Sequence, residues 1–344
     1  MRVKALTPSM EGEYGDLIAR SPASPLSHTL VWRDVLLELD MGEPIYWLAY
    51  EDSQLLGAFP AFVRRAAPGA VLNSLPFVQS TGGIISNCEV SRNKRAKLVE
   101  TIVEAMLDWC RMHDVQIACV IGSAFFGQED EATFPIEPDF RMDRVIRTID
   151  LTQPLHFRPS VRNHIKQARK FNPVLKQATS LEQARHVYEI YAENMRRMDI
   201  EPHDWIMYER LYKLTSDKGW TRFSWAEVDG KSAAGLISIW HGGIVDYFSV
   251  GSTEFGRRIQ AVSWLCEQLI NEAVTNCVRW WNWMASPNRQ VYDFKKAWGG
   301  MDRTYPIWLW CLDSITSFRR FSPVELSAQF PGYFVLPYDW LSSI

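Results

Sequence analysis

Hydrophobic and polar positions along the chain spell one arrangement of elements twice. From Tyr46 to Arg65, YWLAYEDSQLLGAFPAFVRR reads as two strands around a turn at Asp52-Ser53, with Gly57 in the second strand. From Phe223 to Gly242, FSWAEVDGKSAAGLISIWHG reads the same way around Asp229-Gly230, with Gly235 in the second strand. NSLPFVQSTGGIIS follows the first hairpin. An amphipathic helix is predicted next, from about Ser91 to His113, with Leu98, Ile102, Ala105 and Trp109 on its buried stripe. The strand VQIACVIG (Val115 to Gly122) ends the unit. After the second hairpin come the strand IVDYFSVGST and a helix from about Gly256 to Asn276, striped by Ile259, Val262, Leu265, Leu269 and Ala273. VRWWNWMA (Val278 to Ala285) ends that unit as a strand, and the two copies lie about 175 residues apart.

A helical insertion at 159–218 separates the copies. Pro159-Ser160 opens VRNHIKQARKF and Asn172-Pro173 closes it. A helix from about Leu181 to Met198 follows, with Ala184, Val187, Tyr188, Tyr191 and Met195 on one face, and another spans about His203 to Lys218. Near the C-terminus, Ser286-Pro287 predicts the cap and first turn of a short helix that ends at Trp298 with Gly299 as its stop. Val291, Phe294 and Trp298 mark its buried side, which puts Lys295 at the edge of that stripe and Lys296 toward water. The aromatic tail beyond Leu312 is expected to pack back onto a lobe.

Composition narrows the class without choosing a function. With 47% hydrophobic and 22% charged residues over 344 positions, the chain reads as a soluble globular protein of two domains or one large one. A formal net charge of -3 gives no global basic footprint, so any contact with nucleic acid or phosphate has to come from a local patch. The six cysteines have no CxxC or cysteine–histidine metal spacing; no metal site is expected, and reduced thiols fit a cytoplasmic location. Neither a signal-peptide apolar region nor an apolar run of membrane-spanning length is found in the sequence.

Motifs for common chemistries are missing from the sequence. There is no GxGxxG, no Walker loop and no GxSxG elbow. The acyl-CoA loop of single-lobe N-acetyltransferases, (Arg/Gln)-x-x-Gly-x-(Gly/Ala), is nearest to Gln79-Ser80-Thr81-Gly82-Gly83-Ile84, which fails at its last position; Gly82-Gly83 reads better as a strand bend. His164 and His241 read as structural or surface residues. In the helix of the insertion, Arg162, Lys166 and Arg169 fall at spacings of about four and three, flanked by Arg158 and Lys170, with Val161, Ile165 and Ala168 on the neighbouring face. Such a helix docks by its apolar side and displays cations, either as a solvated face or as a site for phosphate oxygens. Arg196-Arg197 suit either a helix C-terminus or a second cationic spot.

The order of these parts resembles the FemAB-like aminoacyl- and acyl-transferases. The likeness is carried by Trp32 in HTLVWRDVL, by VRNHIKQARKFNPVL, by YFSVGSTEF and most specifically by DFKKAWGG, where Trp298 stands for the usual Phe. It spans roughly Thr29 to Leu312. The resemblance implies an α+β (mixed α/β) fold of two tandem GNAT-like lobes around a central cleft, divided here as 1–155 and 156–344, the latter including 159–218. It implies an enzyme that moves an acyl or aminoacyl group onto an amine of a peptidoglycan or polysaccharide precursor of the cell envelope. In the family the lysine after the phenylalanine stabilises the tetrahedral intermediate; here that is Lys295, with Phe294 shaping the site. Phosphate binding by an arginine of the tyrosine-rich helix carries over to Arg196 or Arg197. Arg162, Lys166, Trp32 and Tyr247 complete the substrate-binding candidates.

No tightly bound cofactor is expected. The donor co-substrate is aminoacyl-tRNA, acyl-CoA or an acyl carrier protein, and the acceptor a small-molecule or nucleotide-linked envelope precursor; DNA is not an expected partner. The missing acyl-CoA loop argues against ordinary acetyl-CoA, and the acidic charge against tRNA. Two alternatives stay open: an N-acyltransferase acting from acyl-CoA or acyl carrier protein on an amino sugar or other small amine, and a non-catalytic protein that binds a glycan or phosphate ligand. The residues identify no general base.

Overall fold

The computed structural model describes residues 1–21, 23–77, 82–87, 90–125, 136–286 and 288–341. The chain opens with β1 (Arg2–Ala5), α1 (Glu11–Arg20), α2 (Leu30–Glu38), β2 (Glu43–Glu51), β3 (Gln54–Ala66), β4 (Gly69–Asn73) and β5 (Ile85–Ser86). Then come α3 (Arg92–Met112), β6 (Ile117–Ile121), β7 (Phe140–Asp150), α4 (Pro159–Arg169), β8 (Val174–Gln177), α5 (Leu181–Arg196) and α6 (Trp205–Thr215). The remainder is β9 (Thr221–Val228), β10 (Lys231–His241), β11 (Ile244–Ser252), α7 (Glu254–Ile259), α8 (Ala261–Thr275), β12 (Trp280–Ala285), α9 (Arg289–Ala297), β13 (Met301–Cys311), α10 (Pro323–Gln329) and α11 (Tyr338–Leu341). Two compact units result: Met1–Val145 with Thr304–Ile344, and Ile146–Arg303.

In the first unit β1, β2, β3 and β4 form antiparallel neighbours. β4 then pairs in parallel with β6, through Val71 with Ile117, Leu72 with Ala118 and Asn73 with Cys119. Residues of β13 lie antiparallel on β6, Ile307 opposite Ile121. Strand alternation divides the side chains. Ala70, Leu72, Ala118 and Trp310 face a core built with Leu98, Ile102, Val103 and Met106 of α3. Val71, Ile117 and Leu309 face the tail, through Phe318, Leu326, Phe330 and Leu336. The tail therefore packs in the first unit, whereas the sequence division placed 304–344 with the second lobe. Its aromatic residues are what cover the face that α3 leaves bare.

The second unit repeats the plan. β8, β9, β10 and β11 are antiparallel neighbours. β11 pairs in parallel with β12, through Ile244 with Trp280, Val245 with Trp281 and Asp246 with Asn282. Residues 146–150 of β7 lie antiparallel on β12. The two-residue turn from β9 to β10 has Asp229 at φ 48° and Gly230 at φ 73°, the left-handed pair that suits the twist of a tight hairpin. The helix expected from about 256 to 276 is instead two, α7 and α8, broken at Gln260 with φ 64°. Helix α4 docks as its pattern predicts, with Val161, Ile165 and Ala168 buried in the same core as Leu265, Leu269 and Trp281.

Candidate functional site

Three buried polar side chains of the second unit, Asp246, Asn282 and Lys295, lie where β11 and β12 cease to pair. Beneath them lies an aromatic floor. Trp283 is in contact with Tyr247 (ring centroids 4.9 Å apart), Trp281 (5.5 Å), Trp298 (5.4 Å) and Phe294 (6.0 Å). Burying a large aromatic side chain contributes about 1.5–3 kcal/mol, so this floor is a rigid base for helix α9.

Helix α9 starts two residues later than the sequence suggested. Asn288, not Ser286, is its cap, accepting the Val291 N–H at 3.0 Å; Pro287 lies outside the described residues. The two glycines at its end are required by geometry. Gly299 (φ 84°) and Gly300 (φ 74°) are left-handed, and a Cβ on Gly300 would lie 2.0 Å from the Thr148 carbonyl oxygen. Arg147, which the sequence did not single out, fastens this end. Its guanidinium donates to the carbonyls of Gly299 (2.9 Å) and Gly300 (2.7 Å) and to Asp302 Oδ1 (2.8 Å). Tyr292 donates to the other Asp302 oxygen at 2.7 Å.

Lys295 sits deeper than the edge position expected. It is only 3% exposed, while Phe294 is half-buried and Lys296 lies over the Tyr292 ring. Its Nζ donates to the Ala285 carbonyl at 2.7 Å and more weakly to that of Met284 at 3.4 Å. Burial pushes the ammonium down to about 8, because desolvation disfavours a charge. An ammonium has three donors. The two carbonyls orient it and leave donor capacity for a ligand.

Two neighbours escaped the sequence reading. Asp246 of β11 is buried, and burial pushes its carboxyl up to about 7, opposed by a hydrogen bond from Asn282. Asn282 of β12 is fully buried; its Nδ2 donates to Asp246 Oδ1 at 2.7 Å and its Oδ1 accepts the Met284 N–H at 2.9 Å. Their signal in the sequence was a carboxylate and an amide inside otherwise apolar strands, VDYFSV and WWNWM.

The other candidates do not join this cluster by any hydrogen bond. Tyr247 is buried in the aromatic floor, and burial raises its phenol. Trp32, in the first unit, is 2% exposed and packs as a core residue. Arg162 is exposed and donates back to the Phe157 carbonyl at 2.5 Å; Lys166 is exposed on the same helix. Arg169 pairs with Glu267 at 2.8 Å. Arg196 and Arg197 are exposed at the end of α5, Arg197 donating to Asn194 at 3.2 Å. Gly82 and Gly83 are described, but Gln79, Ser80 and Thr81 lie outside the described residues. Among the described residues no group of three or more His, Cys, Asp or Glu could hold a metal ion, and no helix is long and apolar enough to cross a membrane.

Residues 156–296 match the acetyltransferase (GNAT) domain family, a segment that includes α4, the β11–β12 pair and Lys295. No curated protein matches the chain in sequence. Among solved structures the fold is similar to that of FemX, with a TM-score of 0.67 at 10% identity over 89% of this chain and 97% of that one. It is also similar to L-PGS from Bacillus licheniformis (TM-score 0.58, 11% identity, 95% of this chain and 98% of that one). A third similar structure is the C-terminal domain of an Agrobacterium fabrum protein assigned as a lysylphosphatidylglycerol synthetase (TM-score 0.56, 8% identity, 95% and 99%). The second unit thus carries a match to the acetyltransferase (GNAT) domain family, and the chain has a tandem GNAT-like fold similar to that of FemX.

Proposed function

We propose that this protein transfers an acyl or aminoacyl group from an activated ester or thioester to an amine of a cell-envelope precursor, with Lys295 as the cation that stabilises the oxyanion. The observation that carries the reading is the seat of Lys295: a buried ammonium held by two backbone carbonyls at the point where β11 and β12 part. In the reaction the acceptor amine forms a bond to the donor carbonyl carbon, and negative charge collects on its oxygen. The tetrahedral intermediate then expels the donor's alcohol or thiol, which takes up a proton as the amine loses one. A preorganised cation in a dry site is worth about 10²–10³ in rate. Positioning of the two substrates supplies further acceleration.

Envelope chemistry is supported by the FemAB-like motifs and by a structural neighbour whose name is that of a synthetase of an aminoacylated lipid. The donor would be aminoacyl-tRNA, acyl-CoA or an acyl carrier protein, with no cofactor retained between turnovers. Arg196, Arg197, Arg162 and Lys166 are the exposed cations offered to phosphates of either substrate. The GNAT match favours acyl-CoA as the second reading of the donor.

The test is a panel of charged tRNAs, acyl-CoAs and acyl carrier proteins incubated with nucleotide-linked amino sugars and muramyl peptides, with products read by mass spectrometry. One donor and one acceptor should give a product heavier by the transferred group, and Lys295→Met should reduce its rate about 10²–10³-fold. Undiminished turnover in Lys295→Met overturns the assignment of Lys295. Thermal stabilisation by a precursor alone, with no product from any donor, would favour a binding protein.

A further inference from the structure

We infer that Asp246 and Asn282 form a positioning pair for Lys295, holding the turn at Met284 whose carbonyls seat the ammonium. The inference deepens the acyl-transfer reading and rests on it only for the consequence in rate. The argument begins with the backbone. Met284 has φ 60°, a left-handed conformation that is strained for a residue with a side chain. The register of β12 against β7 slips between Asn282 and Ala285, so the chain leaves its ladder there. Something has to hold the turn and receive the Met284 N–H.

Asn282 does both. Its Oδ1 takes the Met284 N–H at 2.9 Å, closing the turn from within. Its Nδ2 then needs an acceptor in a fully buried place. Asp246 Oδ1 provides one at 2.7 Å, with Met284 Sδ at 3.1 Å. This fixes the amide, since a flipped Asn282 would set its oxygen against the Asp246 oxygen and its NH2 against an N–H donor. Asp246 is placed for this by topology, being opposite Asn282 at the last parallel pair of β11 and β12. On the far side of the turn the Met284 and Ala285 carbonyls both accept from Lys295. A single chain of hydrogen bonds thus runs from Asp246 through Asn282 and Met284 to Lys295.

Ionisable groups on the surrounding elements have other partners. Arg147 is bonded to Asp302, Arg289 to Asp293 and Arg222 to Glu272. Tyr247 and Cys266 are buried, and burial raises both, so they remain neutral at pH 7. The two groups at the ends of the chain both titrate close to neutrality, Asp246 at about 7 and Lys295 at about 8. That coincidence is more common at functional sites than elsewhere.

The pair acts through its hydrogen bonds, so an uncharged acceptor at 246 should serve as well as a carboxylate. The test needs no substrate. Protein carrying 13Cε-labelled lysine is titrated by NMR, and the Lys295 signal is identified by its loss in Lys295→Met. In Asp246→Asn the signal should keep its position and its midpoint near 8. In Asp246→Ala and Asn282→Ala it should move, with a midpoint raised by about one unit or more as the ammonium escapes its seat. Lys295 behaving as in the wild type in both alanine variants overturns the inference. So does Asp246→Asn disturbing Lys295 as strongly as Asp246→Ala, because the carboxylate charge would then be the active feature. If the alanine variants fail to fold, Asp246→Asn and Asn282→Asp still decide the question. The latter keeps the acceptor for Met284 but opposes two oxygens, and should shift Lys295 where Asp246→Asn does not. Should the transfer assay yield a product, Asp246→Asn should keep its rate while Asn282→Ala loses about tenfold or more in kcat with KM little changed. A null result in that assay leaves the NMR outcome intact, so the two readings fail separately.

Discussion

The third rung of the parallel pairing carries different chemistry in the two units. In the first it is Asn73 opposite Cys119; in the second it is Asp246 opposite Asn282. Asn73 is fully buried, and its surroundings call for the amide orientation in which backbone satisfies it: with Nδ2 and Oδ1 exchanged, Nδ2 donates to the Leu72 and Phe334 carbonyls at 3.0 Å and Oδ1 accepts the Phe334 N–H at 2.6 Å. Cys119 is buried, and burial raises its thiol, so it stays neutral. Beyond them Ser74 Oγ bonds the N–H and carbonyl of Ile121. Every member of that set is neutral, and the tail supplies the partner for Asn73. In the second unit the same place joins two side chains, one of them a carboxyl near its midpoint, to a turn that holds a lysine. At this rung the first unit holds only neutral groups with structural partners, and the second holds the buried Asp246 carboxyl beside the turn that seats Lys295.

Exchanging side chains at these places should separate the roles. The largest effect is expected from Lys295→Met, with transfer reduced about 10²–10³-fold while thermal stability changes little, since a buried ammonium is itself unfavourable. Next comes Arg147→Leu, which frees the end of α9 by taking the donor from the Gly299 and Gly300 carbonyls. Asp302 is exposed and keeps Tyr292, so its lost ion pair adds little, and the lost hydrogen bonds cost about 1–3 kcal/mol, measured as a fall in unfolding free energy in urea. Asn73→Ala in the first unit should cost about 2 kcal/mol through unmet backbone groups, yet leave the rate per folded molecule unchanged. Lost turnover in folded Asn73→Ala would break the division between a structural and a chemical unit.

Smallest, read per pH unit, is a slope in stability with pH. The folded carboxyl of Asp246 titrates at about 7, above its usual 3.8, so the folded state holds the extra proton between those values. Its contribution makes stability fall as pH rises from about 4 to 7, by at most about 1.4 kcal/mol per pH unit. Lys295 at about 8, below its usual 10.5, makes the unfolded state hold the extra proton, so its contribution makes stability rise from about pH 8 to 10. The stability curve of Asp246→Asn should lack the first slope, and that of Lys295→Met the second.

Much of the fold was legible because both units advertise it. The hairpins at Asp52 and Asp229, the stripes of α3 and α5 and the docking face of α4 follow from periodicity. The break at Gln260 carries no glycine or proline to announce it, and β7 was missed because FRMDRVIRTID scatters three arginines through a strand. Missing β7 meant missing Arg147. At the site, DFKKAWGG marked Lys295, although its depth was misjudged because the carbonyls that receive it come from the distant turn at Met284. Asp246 and Asn282 are not adjacent in sequence, and only strand pairing brings them together. Trp32 and Tyr247 lie in stretches that carry the family likeness, and their bulk serves the core.

The central claim is that Lys295 works as a cation. Its most direct test is the pH dependence of transfer with whichever donor and acceptor yield product. The wild-type rate should fall as pH rises through about 8, where Lys295 loses its proton, and Lys295→Met should show a low rate without that fall. A wild-type rate that keeps climbing through pH 9 would mean that the neutral amine is the active form, and that Lys295 is a base rather than an oxyanion's partner.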